Sequence, residues 1–266
     1  MNLKFGFLAH NRPAEKEIEY AAKNGLAHVE IDLFNDLNLL EGFNPERIQR
    51  IRELSENHRI SLSIHPPYIL NLAEKIQIIS EANLRYLKYC LKLAKALGAG
   101  FVTTYLGSLN SQKDFQKARR QALGRALENL KQAVRECEKF QVKLALENTN
   151  LMPPNSPIFY LGDNLKDFPK IFSAIKSPWL NLCLDLGHAH TNEGILPYIR
   201  KLGPKIISVH YHDNDGKKDD HLNIGAGNIN WKRVLAEFRK INYSGPFLSE
   251  TKESPPASRR KLLKFF

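Results

Sequence analysis

Eight short runs rich in Val, Ile, Leu and Phe recur along this 266-residue chain, and helical patterns fill the intervals between them. The apolar runs cover residues 3–9, 28–33, 61–65, 100–105, 142–148, 179–185, 205–212 and 246–251. Residues 14–24 form the first helical pattern and stop at Gly25, a residue suited to ending a helix. Residues 45–57 open with Pro45 behind Asn44, the arrangement of a first helical turn and its N-cap. Residues 76–97 place Ile79, Leu87, Cys90, Leu91, Ala94 and Leu97 on one face, and 113–139 do the same with Ala118, Leu123, Ala126, Leu127, Leu130 and Val134. Weaker helices are expected near 165–175, 193–202, 231–240 and 255–264. Strand and helix thus alternate at intervals of roughly 25–40 residues, which predicts a parallel α/β fold. The rival, a doubly wound open sheet, usually carries a Gly-rich turn after its first strand. Here that place is His10-Asn11-Arg12-Pro13. Eight units favour a closed (β/α)8 TIM barrel, and no Ser/Gly linker divides the chain, so a single TIM-barrel domain is expected over 1–266.

With 42% hydrophobic residues the chain can bury a sizeable core. No stretch approaches the roughly 20 apolar residues of a membrane span. The opening MNLKFGFLAHNRP turns polar too soon for a secretory signal, so the expectation is a cytoplasmic protein with no membrane partner. Cys90, Cys137 and Cys183 are scattered and make no metal or disulfide framework; they are expected as reduced core residues. A net charge of +11 favours anionic partners, nucleic acid or phosphorylated small molecules. The basic residues are spread over the helices, however, which favours a Lys-rich solvated surface.

Four of the apolar runs end in groups that bind metal ions. LALENT carries Glu147, LCLDLGH carries Asp185 and His188, IISVHYHD carries His210, and FLSETK carries Glu250. In a barrel the C-terminal strand ends carry function, and Glu or Asp is almost never buried without a partner. Three carboxylates and one imidazole suit one divalent ion: Mn²⁺, Mg²⁺, Co²⁺ or Zn²⁺. His10, Glu30 or Asp32, His65, Tyr105 and His212 sit at the same edge, although Asp32 could cap a helix and His10 could bond a loop. Asp219-x-His221 with His188 forms a possible second metal set; the charged turn NDGKKDD is its plainer explanation. Gly225-Ala226-Gly227 before Asn230-Trp231 reads as a tight loop, an Asn cap and a packed Trp, with backbone amides that could receive a phosphate. The insert Asn150 to Asn164 is the longest irregular stretch and sits where an active-site flap would.

LALENT, LDLGHAH, HYHDNDG–DDHLNIGAGNINW and LSET, in this order along essentially the whole chain, resemble the xylose isomerase-like TIM-barrel superfamily. That group includes ketose 3-epimerases, inosose dehydratases and endonuclease IV. The epimerase resemblance implies one divalent ion on Glu147, Asp185, His210 and Glu250, with both glutamates as acid/base on opposite faces of a sugar. His188 helps to place the substrate, with His65, Tyr105 and His212 as further substrate contacts. The arginine those families carry shortly after the seventh-strand His is missing; Lys217 and Lys218 are the nearest basic residues. The endonuclease IV resemblance implies a second and third zinc, with His65, Glu147, Asp185, His188, His210, Asp219, His221 and Glu250 as ligands and DNA as partner. Tyr105 stands where that pattern has a His, and NTNLMPPNSP replaces its Gly-rich continuation. The resemblance therefore implies a metal-dependent isomerase or epimerase of carbohydrate metabolism acting on a sugar or sugar derivative, with abasic-site DNA cleavage as the alternative. A barrel that only binds a ligand is a third class, which the full ligand set disfavours. Relatives of this kind are often homo-oligomers, but no interface signature marks one here.

Overall fold

The computed structural model describes residues 3–110 and 113–266. Ten strands and nine helices are formed by these residues. The strands are β1 (Lys4–Ala9), β2 (His28–Asp32), β3 (Ser61–His65), β4 (Phe101–Thr104), β5 (Ser108–Asn110), β6 (Lys143–Glu147), β7 (Ile158–Tyr160), β8 (Leu180–Asp185), β9 (Ile206–Tyr211) and β10 (Pro246–Ser249). Eight of them close into a parallel barrel in the order β1-β10-β9-β8-β6-β4-β3-β2, as the alternation of runs predicts. The helices are α1 (Ala14–Lys23), α2 (Pro45–His58), α3 (Gln77–Leu97), α4 (Phe115–Phe140), α5 (Asp167–Ala174), α6 (Leu186–His190), α7 (Ile195–Leu202), α8 (Trp231–Lys240) and α9 (Pro255–Leu263).

The helix ends follow the local chemistry. Asn44 caps α2 by accepting from the Arg47 amide at 2.8 Å, and Gly25 leaves α1 with φ of 63°. Asn230 caps α8 through the Arg233 amide at 3.0 Å. The apolar face of α3 departs from expectation at one end. Ile79 is 44% exposed, because that face meets the rest of the core only from Leu84 onward. The insert after β6 is also more ordered than its composition suggests. Within it β7 pairs antiparallel with β5, so the flap is stitched to the loop that follows β4.

Strand parity decides what faces the barrel interior, since successive side chains alternate sides. On β2, Val29 and Ile31 join the core under the helices, whereas His28 and Glu30 meet side chains from across the barrel. Ser63 and His65 on β3, Thr103 on β4, Glu147 on β6, Cys183 and Asp185 on β8 and His210 on β9 share that inward parity. All of them are buried. The three cysteines are free and buried. Among the described residues, no helix is long and apolar enough to cross a membrane.

Candidate active site

At the C-terminal mouth, the four strand-end groups expected to hold a metal come together. Glu147, Asp185 and His210 are fully buried, and Glu250 follows β10 directly. His210 Nδ1 lies 2.9 Å from Glu250 Oε1 and 3.4 Å from Glu147 Oε1. Ligand atoms of Asp185, His210 and Glu250 all lie within 4.8 Å of one another, as do those of Glu147, Asp185 and His188. His65 Nε2 stands 3.2 Å from Glu147 Oε2, and the Tyr105 hydroxyl donates to Glu147 Oε1 at 3.4 Å. Asn148, which sequence reasoning passed over, braces the pair of strands: its amide donates to the Asp185 carbonyl and its Oδ1 accepts from the Asp185 amide, both at 2.9 Å. Its only signal was its position directly after Glu147.

Two buried carboxylates and a third, Glu250, that is partly buried, around one imidazole, require positive charge. Asp185 Oδ2 and His210 Nδ1 have no hydrogen-bond partner, and no Lys or Arg is paired with this cluster among the described residues. Such orphaned donors converging on one point fit a divalent ion. In the protein alone, histidines supply the compensation. Burial opposes ionisation of Glu147, but the charge and hydrogen bonds of His210 and His65 hold its carboxyl well below the usual range. Burial likewise opposes a charged His65, yet Glu147 lifts it to about 9. His210 is raised well above its ordinary value: burial works against the charge and the acidic groups around it, Cys183, Glu250, Glu147 and Glu30, outweigh that.

A second cluster lies beside the first, toward solvent. His188 Nε2 and His221 Nε2 reach Asp219 Oδ2 at 3.1 and 3.3 Å, and His212 Nε2 reaches Asp219 Oδ1 at 3.4 Å. Both outer histidines are aimed by backbone carbonyls: His188 Nδ1 at Asn148 O, 2.8 Å, and His221 Nδ1 at Glu250 O, 2.9 Å. A ring whose Nδ1–H is spent on a carbonyl turns its Nε2 to the cluster, where it faces Asp219 in the protein alone and would offer a lone pair to an ion that displaced its hydrogen. His221 holds φ of 48°, an uncommon conformation for a residue with a side chain. Burial disfavours the charged ring, and Asp219 and Glu250 lift His221 to about 9. His212, expected to contact substrate, is fully buried and stacks under His221 with ring centroids 3.9 Å apart. Its place is bought by Gly187, where an added Cβ would stand 1.9 Å from the His212 ring.

The loop that delivers Asp219 and His221 is folded around Asp213, another residue without a clear sequence signal. Its buried carboxylate accepts from the amides of Gly225 at 2.8 Å and Ile229 at 3.3 Å and from Trp231 Nε1 at 2.9 Å. This counts against the expectation of a phosphate site at Gly225–Gly227: the Gly225 amide is spent on an internal anion and the Ala226 amide on the Asn223 carbonyl, at 2.9 Å. Gly227 packs so closely that a Cβ would lie 2.3 Å from Asp213 Oδ1. His10 and Asp32 pair with each other at 3.6 Å at the rim. Lys217 and Lys218 are exposed, and Lys217 pairs with Asp215 at 3.7 Å.

Above the clusters is a cleft of about 250 Å³. Tyr68, Tyr105 and Tyr160 help to wall it, and His188, Asp219, His221 and Glu250 line it too. Tyr160 comes from β7, and Arg119 on α4 anchors the stretch that follows through Asp163 and, at 2.8 Å, Asp167.

The chain is 28% identical over 222 residues to an uncharacterized protein of Methanocaldococcus jannaschii, covering 82% of this chain and 73% of that one. It is 25% identical over 205 residues to a probable endonuclease 4 of Aquifex aeolicus, covering 71% and 69%. The crystal structure of a D-tagatose 3-epimerase-like protein superposes with a TM-score of 0.85 at 26% identity, covering 99% of this chain and 97% of that one. The xylose isomerase-like TIM barrel family model matches residues 18–266, and with its closed eight-stranded barrel the chain belongs to that family.

Proposed function

We propose that this protein is a divalent-metal-dependent isomerase or epimerase acting on a sugar or sugar derivative. The observation that carries this is the placing of two carboxylates, Glu147 and Glu250, against one nitrogen of His210 beside a small cleft walled by tyrosines. Reprotonating a sugar carbon from the opposite face needs two proton-handling groups flanking one point, in a space that takes one small substrate. Glu147, Asp185, His210 and Glu250 would hold the ion, which supplies Lewis-acid polarisation of a carbonyl when bound.

The protein's own groups handle the proton. One glutamate carboxylate takes the proton from the carbon next to the carbonyl, leaving an enediolate; the other, entering the step protonated, returns its proton from the opposite face. Glu147 and Glu250 are the two groups placed for these roles, and the reverse reaction exchanges them. The Tyr105 phenol keeps its proton, because burial and the nearby Glu147 charge raise it well above its ordinary value, so it remains a donor at the cleft wall. His188 faces the same space and would orient a substrate hydroxyl.

Phosphodiester cleavage at abasic sites in DNA is the second reading, and the His188, His212, Asp219, His221 cluster favours it, since a further ion or two there, zinc by donor type, would suit a phosphate. The +11 charge points the same way. A test sets the two side by side: metal content of the purified protein, deuterium uptake from D₂O into candidate ketoses, and incision of abasic-site DNA. One ion with deuterium uptake and no incision is expected. Two or three zinc ions with specific incision and no uptake would overturn the proposal.

A further inference from the structure

A carboxylate inside the barrel, Glu30, has no role in the proton transfers above. It is fully buried, and sequence alone left it as an alternative to Asp32. Every neighbour it has is a donor. Oε1 accepts from Ser63 Oγ at 2.9 Å and from Thr103 Oγ1 at 2.6 Å. Oε2 lies 2.7 Å from His210 Nε2, off the straight N–H···O line, and neither atom has another partner.

The hydrogens can be followed one by one. Ser63 spends its only hydrogen on Glu30, so against His28 Nε2, 2.8 Å away, it must accept. His28 therefore carries its proton on Nε2. Its Nδ1 faces the Ser61 hydroxyl at 2.8 Å, which also reaches the Ala27 carbonyl at 2.9 Å; a neutral His28 accepts the Ser61 hydrogen there in place of that carbonyl. The column runs from His28 through Ser63 to Glu30, with Thr103 as a second donor to Oε1, and the other carboxylate oxygen, Oε2, meets His210. A buried anion in that position fixes a hydrogen on His210 Nε2 and leaves Nδ1, which faces Glu147 and Glu250, as a lone pair for a cation.

We propose that Glu30 is a positioning residue for the metal centre: through His210 Nε2 it sets the tautomer and orientation of the imidazole that binds the ion. This rests on the metal-centre part of the proposed function and is independent of which substrate the enzyme takes.

The test uses Zn²⁺ on the full chain in an Asp219→Asn background, so that the deep cluster is read alone. Zn²⁺ affinity is measured by chelator competition, and ¹⁵N-histidine NMR reports which His210 nitrogen carries hydrogen. Glu30→Gln, which keeps shape and removes charge, is expected to weaken Zn²⁺ binding by about 10–100-fold and to abolish the exchange-protected Nε2–H signal of the loaded protein. Ser63→Ala, which removes one donor and keeps the fold if Glu30→Gln does not, should weaken binding in the same direction by more than about twofold. Zn²⁺ affinity unchanged in both variants, or a loaded His210 protonated on Nδ1, would overturn the proposal. A parent protein that takes up no Zn²⁺ would remove the metal centre and this role with it. The expected losses in a protein that exchanges no sugar proton would instead sink the isomerase reading and leave Glu30 in its place.

Discussion

The two clusters at the mouth are neighbours built on opposite plans. The deep one, around His210, is delivered by strand ends, carries three carboxylates to one imidazole, and stands on a hydrogen-bonded column inside the barrel. The outer one, around Asp219, carries three histidines to one carboxylate and is delivered mostly by a loop folded around Asp213. Asp185 touches both: its Oδ1 lies 3.6 Å from His188 Nδ1 and 3.3 Å from His212 Nε2, while its Oδ2 faces the deep site unpartnered. Carboxylate-rich sites suit hard ions and proton transfer, and imidazole-rich sites suit zinc. On the proposed function, this difference puts the proton transfers at the deep cluster and leaves the outer one to bind substrate or a further ion.

The sharpest way to break this division is to compare equal charge losses in the two clusters. Glu250→Gln is expected to lower the epimerisation rate by about 10²–10⁴-fold, the usual worth of a general acid or base, with the fold retained. Asp219→Asn should cost less than about tenfold on the same scale. Equal losses in steady-state assays would mean that the outer cluster takes part in the chemistry.

The supports of the clusters can be separated by pH. His28, at the foot of the deep column, is lowered by burial from 6.5 to about 4. Above pH 6.5 both folded and unfolded chains hold it neutral, so its contribution is fully present. Below that the unfolded chain takes up the proton first, and about 3 kcal/mol is lost as pH falls toward 4. Urea midpoints between pH 7 and 4 should show this limb, and His28→Gln should flatten it; an unchanged limb would show that His28 is not its source. On the outer side, Asp213→Asn turns an acceptor of four donors into a partial donor, and a loss of about 2 kcal/mol is expected in the same assay. Its accompanying effect should be on uptake of a second ion, with the deep site unaffected. Gly187→Ala is expected to cost about 1–2 kcal/mol by overpacking against His212 and to displace that ring. A crystal structure with His212 unmoved would count against it.

The deep cluster could be read from sequence because apolar strands that end in Glu, Asp or His announce themselves, and inward parity then brings their side chains together. The outer one was half legible. Asp219 and His221 were visible as a pair, but His212 differs from a substrate contact only by lying beneath His221, which is a three-dimensional fact. Glu30 and Asp32 share one parity, so spacing could not say which lay in the interior and which at the rim. Asp213 was hidden because a charged turn looks the same whether its acid faces water or collects amides. The flap seemed irregular since β5 and β7 are three residues each and pair across nearly fifty residues of chain.

The absent side chain at position 187 has a consequence for how such proteins can diverge. Gly187 offers no side chain to any site, yet the nearest atoms that a methyl group there would meet belong to the His212 ring of the outer cluster. A change at this one position would thus disturb the outer cluster while every residue of that cluster stayed in place.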